Sequence, residues 1–267
     1  MNDWNAETLQ QFANTDAVSI HKIAPQPSGR RYLVFVRSGS RPVEQPDWPP
    51  DDRRGYDIVA NFYAPPDPDC WLLHKADYVT SGGLSKFHAA KLFLGPDVID
   101  RYAGAFFLDD DVQTHFDPGR FAAFATEQGF ALAQASLTPQ SYACHRVTQN
   151  HPSCAWRETN FIEVMAPYFS ISSLRDAIGD FDRSISTWGL DVLWGSRYHT
   201  RRMAVIDGFT MTHVRPFDPS GGEYYAYLQR IGIDPLRELR MILQDLRLTQ
   251  YEIETHRVMF LKSEIGP

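Results

Sequence analysis

Three consecutive carboxylates, Asp109, Asp110 and Asp111, follow a short apolar run from Ala105 to Leu108. That run reads as a buried strand, so the chain brings three negative charges to one strand end, where they are costly unless a cation offsets them. Side chains at i and i+2 of an extended segment point the same way, so Asp109 and Asp111 are expected to converge while Asp110 faces elsewhere. Mg²⁺ or Mn²⁺ takes such oxygen ligands together with phosphate, and the spacing points to a divalent metal and, through it, a phosphorylated ligand. The competing reading is an acidic turn whose aspartates cap a helix or accept from backbone amides.

The elements that must position these residues belong to a chain of 267 residues, enough for one large α/β domain or two small ones. Its net charge of -7 supplies no overall positive field for a nucleic-acid backbone or an anionic membrane, so neither is expected as a partner. An anionic substrate would need a local cation. Cys70, Cys144 and Cys154 are odd in number and lack CxxC spacing, which favours free thiols in a reducing cytosol, although Cys144 and Cys154 could bridge. The first residues carry acidic side chains and no apolar core, and no apolar run approaches ~18 residues, so a signal peptide and a transmembrane segment are not expected. A cytoplasmic location follows as the expectation.

In chain order, a short helix over Asn5 to Phe12 and a link through Pro25 and Pro27 precede a strand from Tyr32 to Val36. That strand runs into the small basic loop Arg37-Ser38-Gly39-Ser40-Arg41, as strands do at many nucleotide sites, or as at any glycine turn. Tyr56 to Tyr63 reads as a strand containing Asn61. Ser85 can cap a helix through Leu94, with Lys86 in its first turn, where a cation is unfavourable for the helix dipole and therefore a candidate for contacting an anion. Asp117-Pro118 starts a helix that Gly129 ends, and Phe130 to Ala135 follows as a strand. This alternation predicts a largely parallel sheet with ligands at the carboxyl ends of its strands. Tyr142 to Asn160 shows no periodicity and reads as a substrate loop or a mobile connection. Phe161 to Ala166 is expected as a strand, Ser170 to Ile178 as a helix, and Thr187 as the cap of a helix reaching about Tyr198. Two short strands, Met203 to Ile206 and Phe209 to His213, come next, then helices over Glu223 to Arg230 and from Asp234-Pro235 through Leu246.

Asp109-Asp110-Asp111, Trp188-Gly189-Leu190-Asp191 and the strand-end His213, in this order, resemble a glycosyltransferase of the A-type fold with a DxD motif. More narrowly, Phe107-Leu108-Asp109-Asp110-Asp111, the stretch from Glu163 to Ser170, and Trp188-Gly189-Leu190-Asp191 resemble an uncharacterised plant and bacterial family. Its members are often labelled lysine-ketoglutarate-reductase trans-splicing related, and the similarity spans roughly Tyr32 to Pro216. No GxGxxG follows a strand, so the dinucleotide fingerprint of a reductase is missing.

The resemblance implies a single Rossmann-like α/β domain over residues 1–220 with a mostly parallel mixed sheet, and a helical C-terminal extension over 221–267 packed on it. It implies that Asp109, Asp111 and His213 hold Mn²⁺ or Mg²⁺ against the diphosphate of a nucleotide-sugar, a UDP-sugar first. Asp191 would be the base that takes the proton of an acceptor hydroxyl, on a carbohydrate or another molecule, with inversion of the anomeric centre. Trp188 would lie under a sugar ring, Arg37, Ser38, Gly39 and Asn61 would hold the nucleoside, and Lys86 and Asp110 would complete the donor site. Two alternatives stand beside it. One is an inactive nucleotide- or sugar-binding module of the same fold. The other is a metal-dependent phosphatase of the haloacid-dehalogenase type, which would want Thr or Val where this chain has Gln113.

Overall fold

The computed structural model describes residues 4, 6–24, 28–199, 202–216, 218 and 222–261. The expected link residues Pro25 and Pro27 and the expected domain boundary at 220/221 lie outside the described residues. In chain order the elements are α1 (Ala6–Gln10), β1 (Val18–Ile23), β2 (Tyr32–Ser38), β3 (Tyr56–Phe62), α2 (Trp71–Lys75), β4 (Tyr78–Gly82), α3 (Lys86–Phe93) and α4 (Pro96–Ile99). They continue with β5 (Gly104–Asp109), β6 (Val112–Thr114), α5 (Pro118–Glu127), β7 (Leu132–Leu137), β8 (Cys154–Thr159), β9 (Tyr168–Ser170), α6 (Ile171–Ala177) and α7 (Leu190–Tyr198). The last described elements are β10 (Met203–His213), α8 (Glu223–Arg230), α9 (Pro235–Asp245) and β11 (Thr255–Phe260).

The protein is a mixed α/β structure built on one large mixed sheet, with strand order β1-β4-β3-β2-β5-β9-β7-β10-β8-β11 and β6 paired to β10. Parallel pairing joins β2 to β3 and β5, β3 to β4, and β7 to β10. The other pairs are antiparallel, which corrects the expected largely parallel sheet. The short β9 enters between β5 and β7 against both neighbours, a reversal that local alternation of strands and helices does not encode.

The central strands are apolar on both faces because both faces are covered. Val34, Val36, Phe106 and Leu108 pack with Phe121 and Ala125 of α5 on one side. Leu33, Phe35, Ala105 and Phe107 pack with Phe87 of α3, Leu174 of α6 and Trp194 of α7 on the other. The i, i+2 alternation of the strands thus divides two cores.

Several local expectations are corrected. Phe161 to Ala166 is irregular, and the strand lies later, at β9. The stretch from Tyr142 to Asn160 contains β8, and β1 and β4 lie where no strand was read. The two strands expected from Met203 to His213 are one, β10, whose register against β7 shifts between Ile206 and Thr210. Asp207 sits in that bulge and accepts from Arg157 Nε at 2.8 Å and Nη2 at 2.9 Å, a buried ion pair. Thr187 does not cap α7. It and Gly189 adopt left-handed backbone, φ 68° and 87°, and Gly189 occupies the cap position. The C-terminal extension is not wholly helical, since β11 adds a strand to β8.

Candidate active site

β5 ends in Asp109, and Asp110 and Asp111 form the turn into β6. The three carboxylates take separate partners. Asp110 turns back to the loop after β2, where it accepts from the Gly39 N–H at 2.7 Å, Tyr63 Oη at 3.3 Å and Arg215 Nη1 at 3.1 Å. Burial pushes its carboxyl up to about 6, against the pull of the Gly39 N–H and Arg215. A side chain on Gly39 would meet the Tyr63 hydroxyl at 2.8 Å, so the glycine lets the loop close on Asp110.

Asp109 meets Lys86, whose Nζ lies 2.8 Å from Asp109 Oδ1 and also donates to the carbonyls of Val164 at 2.7 Å and Met165 at 2.8 Å. Lys86 is buried, and desolvation lowers its pKa even with Asp109 beside it. All three of its donor directions are engaged, so it braces the acidic strand end against the loop before β9.

Asp111 meets His213, the last residue of β10. His213 Nε2 lies 3.4 Å from Asp111 Oδ2, and its Nδ1 bonds the Tyr142 carbonyl at 2.9 Å. A carbonyl only accepts, so Nδ1 carries the proton and Nε2 is the nitrogen turned to the carboxylates. Burial opposes protonation of His213, but Asp111, the Tyr142 carbonyl and Asp109 push it up to about 9. For Asp111, burial acts upward and the imidazole of His213 outweighs it, holding the carboxyl below its usual range.

A histidine fixed through Nδ1 to a carbonyl, with Nε2 beside a carboxylate, has the donor types and tautomer that a divalent ion takes. Among the described residues, however, no three or more His, Cys, Asp or Glu side chains are grouped so as to hold one ion. Asp111 and His213 are thus a pair of such donors, and an ion held between them would need further ligands.

Arg37, Ser38 and Asn61, expected from sequence to hold a nucleoside, sit at the carboxyl ends of β2 and β3, with their polar side-chain atoms bonded to protein. Arg37 is buried and donates to Asn61 Oδ1, Asn14 Oδ1 and the carbonyls of Gly82 and Gly83. Desolvation draws its pKa down to about 10. Asn61 Nδ2 donates to Thr80 Oγ1 at 3.0 Å, and Ser38 Oγ to the Gly39 carbonyl at 2.9 Å. These groups knit β2, β3 and β4 together.

Asp191 lies in the first turn of α7, half-buried, and accepts from the Val192 N–H at 2.8 Å. Burial pushes its carboxyl up to about 6, the Val192 N–H and His145 oppose that, and Glu163 adds to it. The charged side chains acting most strongly on Asp191 are thus His145 and Glu163, not the Asp109 to Asp111 turn. The two regions meet through Lys86, whose carbonyl partners Val164 and Met165 directly follow Glu163. His145 and Glu163 were not singled out from sequence as site residues. For His145 the signal was the density of His, Asn and Arg between Tyr142 and Asn160, and Glu163 opens the stretch to Ser170 that carries the family resemblance. Trp188 Nε1 donates to Tyr225 Oη at 3.3 Å, and Tyr224 and Tyr227 of α8 bond the carbonyls of Ile185 and Leu84, so α8 spans this side of the site.

A cavity of ≈ 580 Å³ lined by Arg30, Arg54, Gly55 and Asp117 opens at the amino ends of β2 and β3, opposite the aspartates. Half-buried Arg30 pairs with Asp57 and Asp77 there, and buried Arg54 with Asp77.

A family described as "Protein of unknown function (DUF707)" matches residues 70–155. The match includes Lys86, the three aspartates and His145, and ends before Asp191 and His213. Nothing in that description mentions trans-splicing or a reductase. No curated protein matches the chain. Among solved structures, A197 from STIV is similar at 16% identity and a TM-score of 0.42, over 69% of this chain and 85% of that one. S. aureus TarS 1-349 in complex with UDP-GlcNAc is similar at 11% identity and a TM-score of 0.44, over 81% of this chain and 71% of that one. At these values neither likeness bears on the chemistry. Among the described residues no helix is long and apolar enough to cross a membrane.

Proposed function

We propose that this chain transfers a sugar from a nucleotide-sugar donor, a UDP-sugar first, to a hydroxyl of a carbohydrate or other acceptor. The observation that carries this reading is His213 Nε2 at 3.4 Å from Asp111 Oδ2, beside an Asp109 braced by buried Lys86. Asp111 and His213 would hold Mn²⁺ or Mg²⁺, with Asp109 adding negative charge and the donor diphosphate supplying further oxygen ligands. The ion, when bound, supplies Lewis-acid neutralisation of the charge that grows on the leaving diphosphate. Asp191 would accept the proton of the attacking hydroxyl. A carboxyl raised to about 6 is ionised at neutral pH and more basic than an ordinary aspartate, which suits that task. Attack opposite the leaving group inverts the anomeric centre. In this reading residues 1–220 form the transferase domain, 221–267 pack on it, and the protein works in the cytoplasm.

Calorimetric titration of UDP, GDP and CDP, each with Mn²⁺, tests the donor site, and release of nucleoside diphosphate from the matching sugar donor tests transfer. Mn²⁺-dependent binding that His213→Gln and Asp111→Asn abolish supports the reading, and failure of the wild-type chain to bind any of the three overturns it. The second reading, a binding module without turnover, is favoured by Asp191 lying in the field of Glu163 and His145 in place of that of the aspartate turn. It predicts binding with no release.

A further inference from the structure

One side of α9 is packed on the fold and the other is not. Its inward line, Leu239, Ile242 and Leu246 at i, i+3 and i+7, lies on the core: Ile242 is buried, and a Cβ on Gly189 would meet Ile242 Cδ1 at 3.0 Å and Leu239 Cδ1 at 3.2 Å. Glu238 also turns inward, accepting from Ser184 Oγ at 3.0 Å and from the N–H groups of Ile185 at 3.0 Å and Ser186 at 2.8 Å. The outward line carries Leu236, Arg240 and Gln244 at i, i+4 and i+8, flanked by Arg237 and Met241, all of them exposed. Leu236 is 49% and Met241 53% exposed, and Arg247, also exposed, directly follows the helix. The acidic side chains of this segment are engaged elsewhere: besides Glu238, Asp234 caps the helix through the N–H groups of Leu236 and Arg237, and Asp245 pairs with Arg183. Among the described residues no carboxylate forms an ion pair with Arg237, Arg240 or Arg247.

We propose that this outward face of α9 docks the protein on an anionic lipid surface. The whole chain carries a net charge of -7 and offers such a surface no overall attraction. Charges farther away than a Debye length, about 8 Å at physiological salt, are largely screened, so the face that touches the surface decides. That face joins arginines to exposed apolar side chains. A nucleic acid or other polyanion would pair with the arginines and leave Leu236 and Met241 in water. The boundary between lipid headgroups and acyl chains takes both kinds at once, with guanidinium on phosphate and the apolar side chains below it. Arg230 and Ile231, exposed at the end of α8 just ahead of α9 in the chain, repeat the combination. The inference does not depend on sugar transfer. Docked in this way, α9 is the layer between the lipid and the segment that carries Trp188 and Asp191.

The test is co-sedimentation of the full chain with vesicles of phosphatidylcholine alone and of phosphatidylcholine and phosphatidylserine in equal parts. The wild type is expected on the mixed vesicles and not on phosphatidylcholine alone, with binding that falls as salt is raised. Arg237→Gln together with Arg240→Gln lowers the partition about 30-fold. Leu236→Asn together with Met241→Asn lowers it on the order of tenfold at fixed salt. These four side chains are exposed, so both variants should keep the wild-type melting temperature. If either pair lowers it, Arg240→Gln alone decides, at about fivefold. Absence of the wild type from the mixed vesicles overturns the proposal, as does equal binding by the arginine variant. Retention of the wild type on heparin, with vesicle binding unmoved by the Leu236 and Met241 substitutions, makes the face a polyanion site and overturns it as well. The assay contains neither nucleotide nor Mn²⁺, so its failure and the failure of sugar transfer are separate results.

Discussion

His213 is bound at both ring nitrogens, Nδ1 to the Tyr142 carbonyl at 2.9 Å and Nε2 to Asp111 at 3.4 Å, so the end of β10 is tied to the turn after β5. The tie is an ion pair only while the imidazole is protonated, and this gives it a pH window.

His213 moves from an unfolded value of 6.5 up to about 9 in the fold. Its contribution is therefore complete below the unfolded value and is lost as pH rises through about 9. Asp111 is held down, so its contribution is present above roughly pH 4 and is lost as pH falls below that. In metal-free buffer, thermal melting should show on the order of 1–3 kcal/mol lost as pH is raised through about 9. His213→Gln should flatten that slope.

Asp191→Asn should lower transfer by about 10²- to 10⁴-fold while nucleotide affinity is kept, as for loss of a general base. The wild-type rate should rise with pH through about 6, as the raised carboxyl ionises. An unchanged rate in the variant would remove Asp191 from the mechanism.

Lys86→Met should cost about 3–5 kcal/mol, because it strips the cation from Asp109 and leaves the Val164 carbonyl without a donor, while the Met165 carbonyl keeps the Asp109 N–H. Chemical denaturation reads the loss. A cost below about 1 kcal/mol would show that water replaces the ammonium at little expense.

Gly195→Ala should disrupt the seat of α7. A Cβ there would lie 2.0 Å from the Tyr251 hydroxyl and 2.1 Å from the Asn160 carbonyl, and backbone cannot yield as a flexible side chain can. About 1–3 kcal/mol of destabilisation is expected from such overpacking, checked by melting temperature.

Much of this was legible where the signal was local. The strand that ends at Asp109 was read from its apolar run, and the helices at Glu223 and Asp234-Pro235 were read from caps and periodicity. β8 was hidden because its Arg157 and Glu158 look like loop residues until Asp207 and Arg202 are seen to neutralise them. Phe161 to Ala166 looked like a strand for the opposite reason. Phe161, Ile162 and Ala166 are buried, but much of the backbone is bonded by side chains: Gln134 bonds the Glu163 N–H, and Lys86 the Val164 and Met165 carbonyls.

By itself the sequence determined which residue types stand at the end of β5 and in the first turn of α7, because alternation and helix periodicity act over a few residues. Which partners those residues meet was decided only in three dimensions: Asp111 with His213, Glu163 with His145, and Arg37 spent on Asn61, Asn14 and two carbonyls. Those pairings depend on strand order and register across distant parts of the chain, and no local preference carries that information.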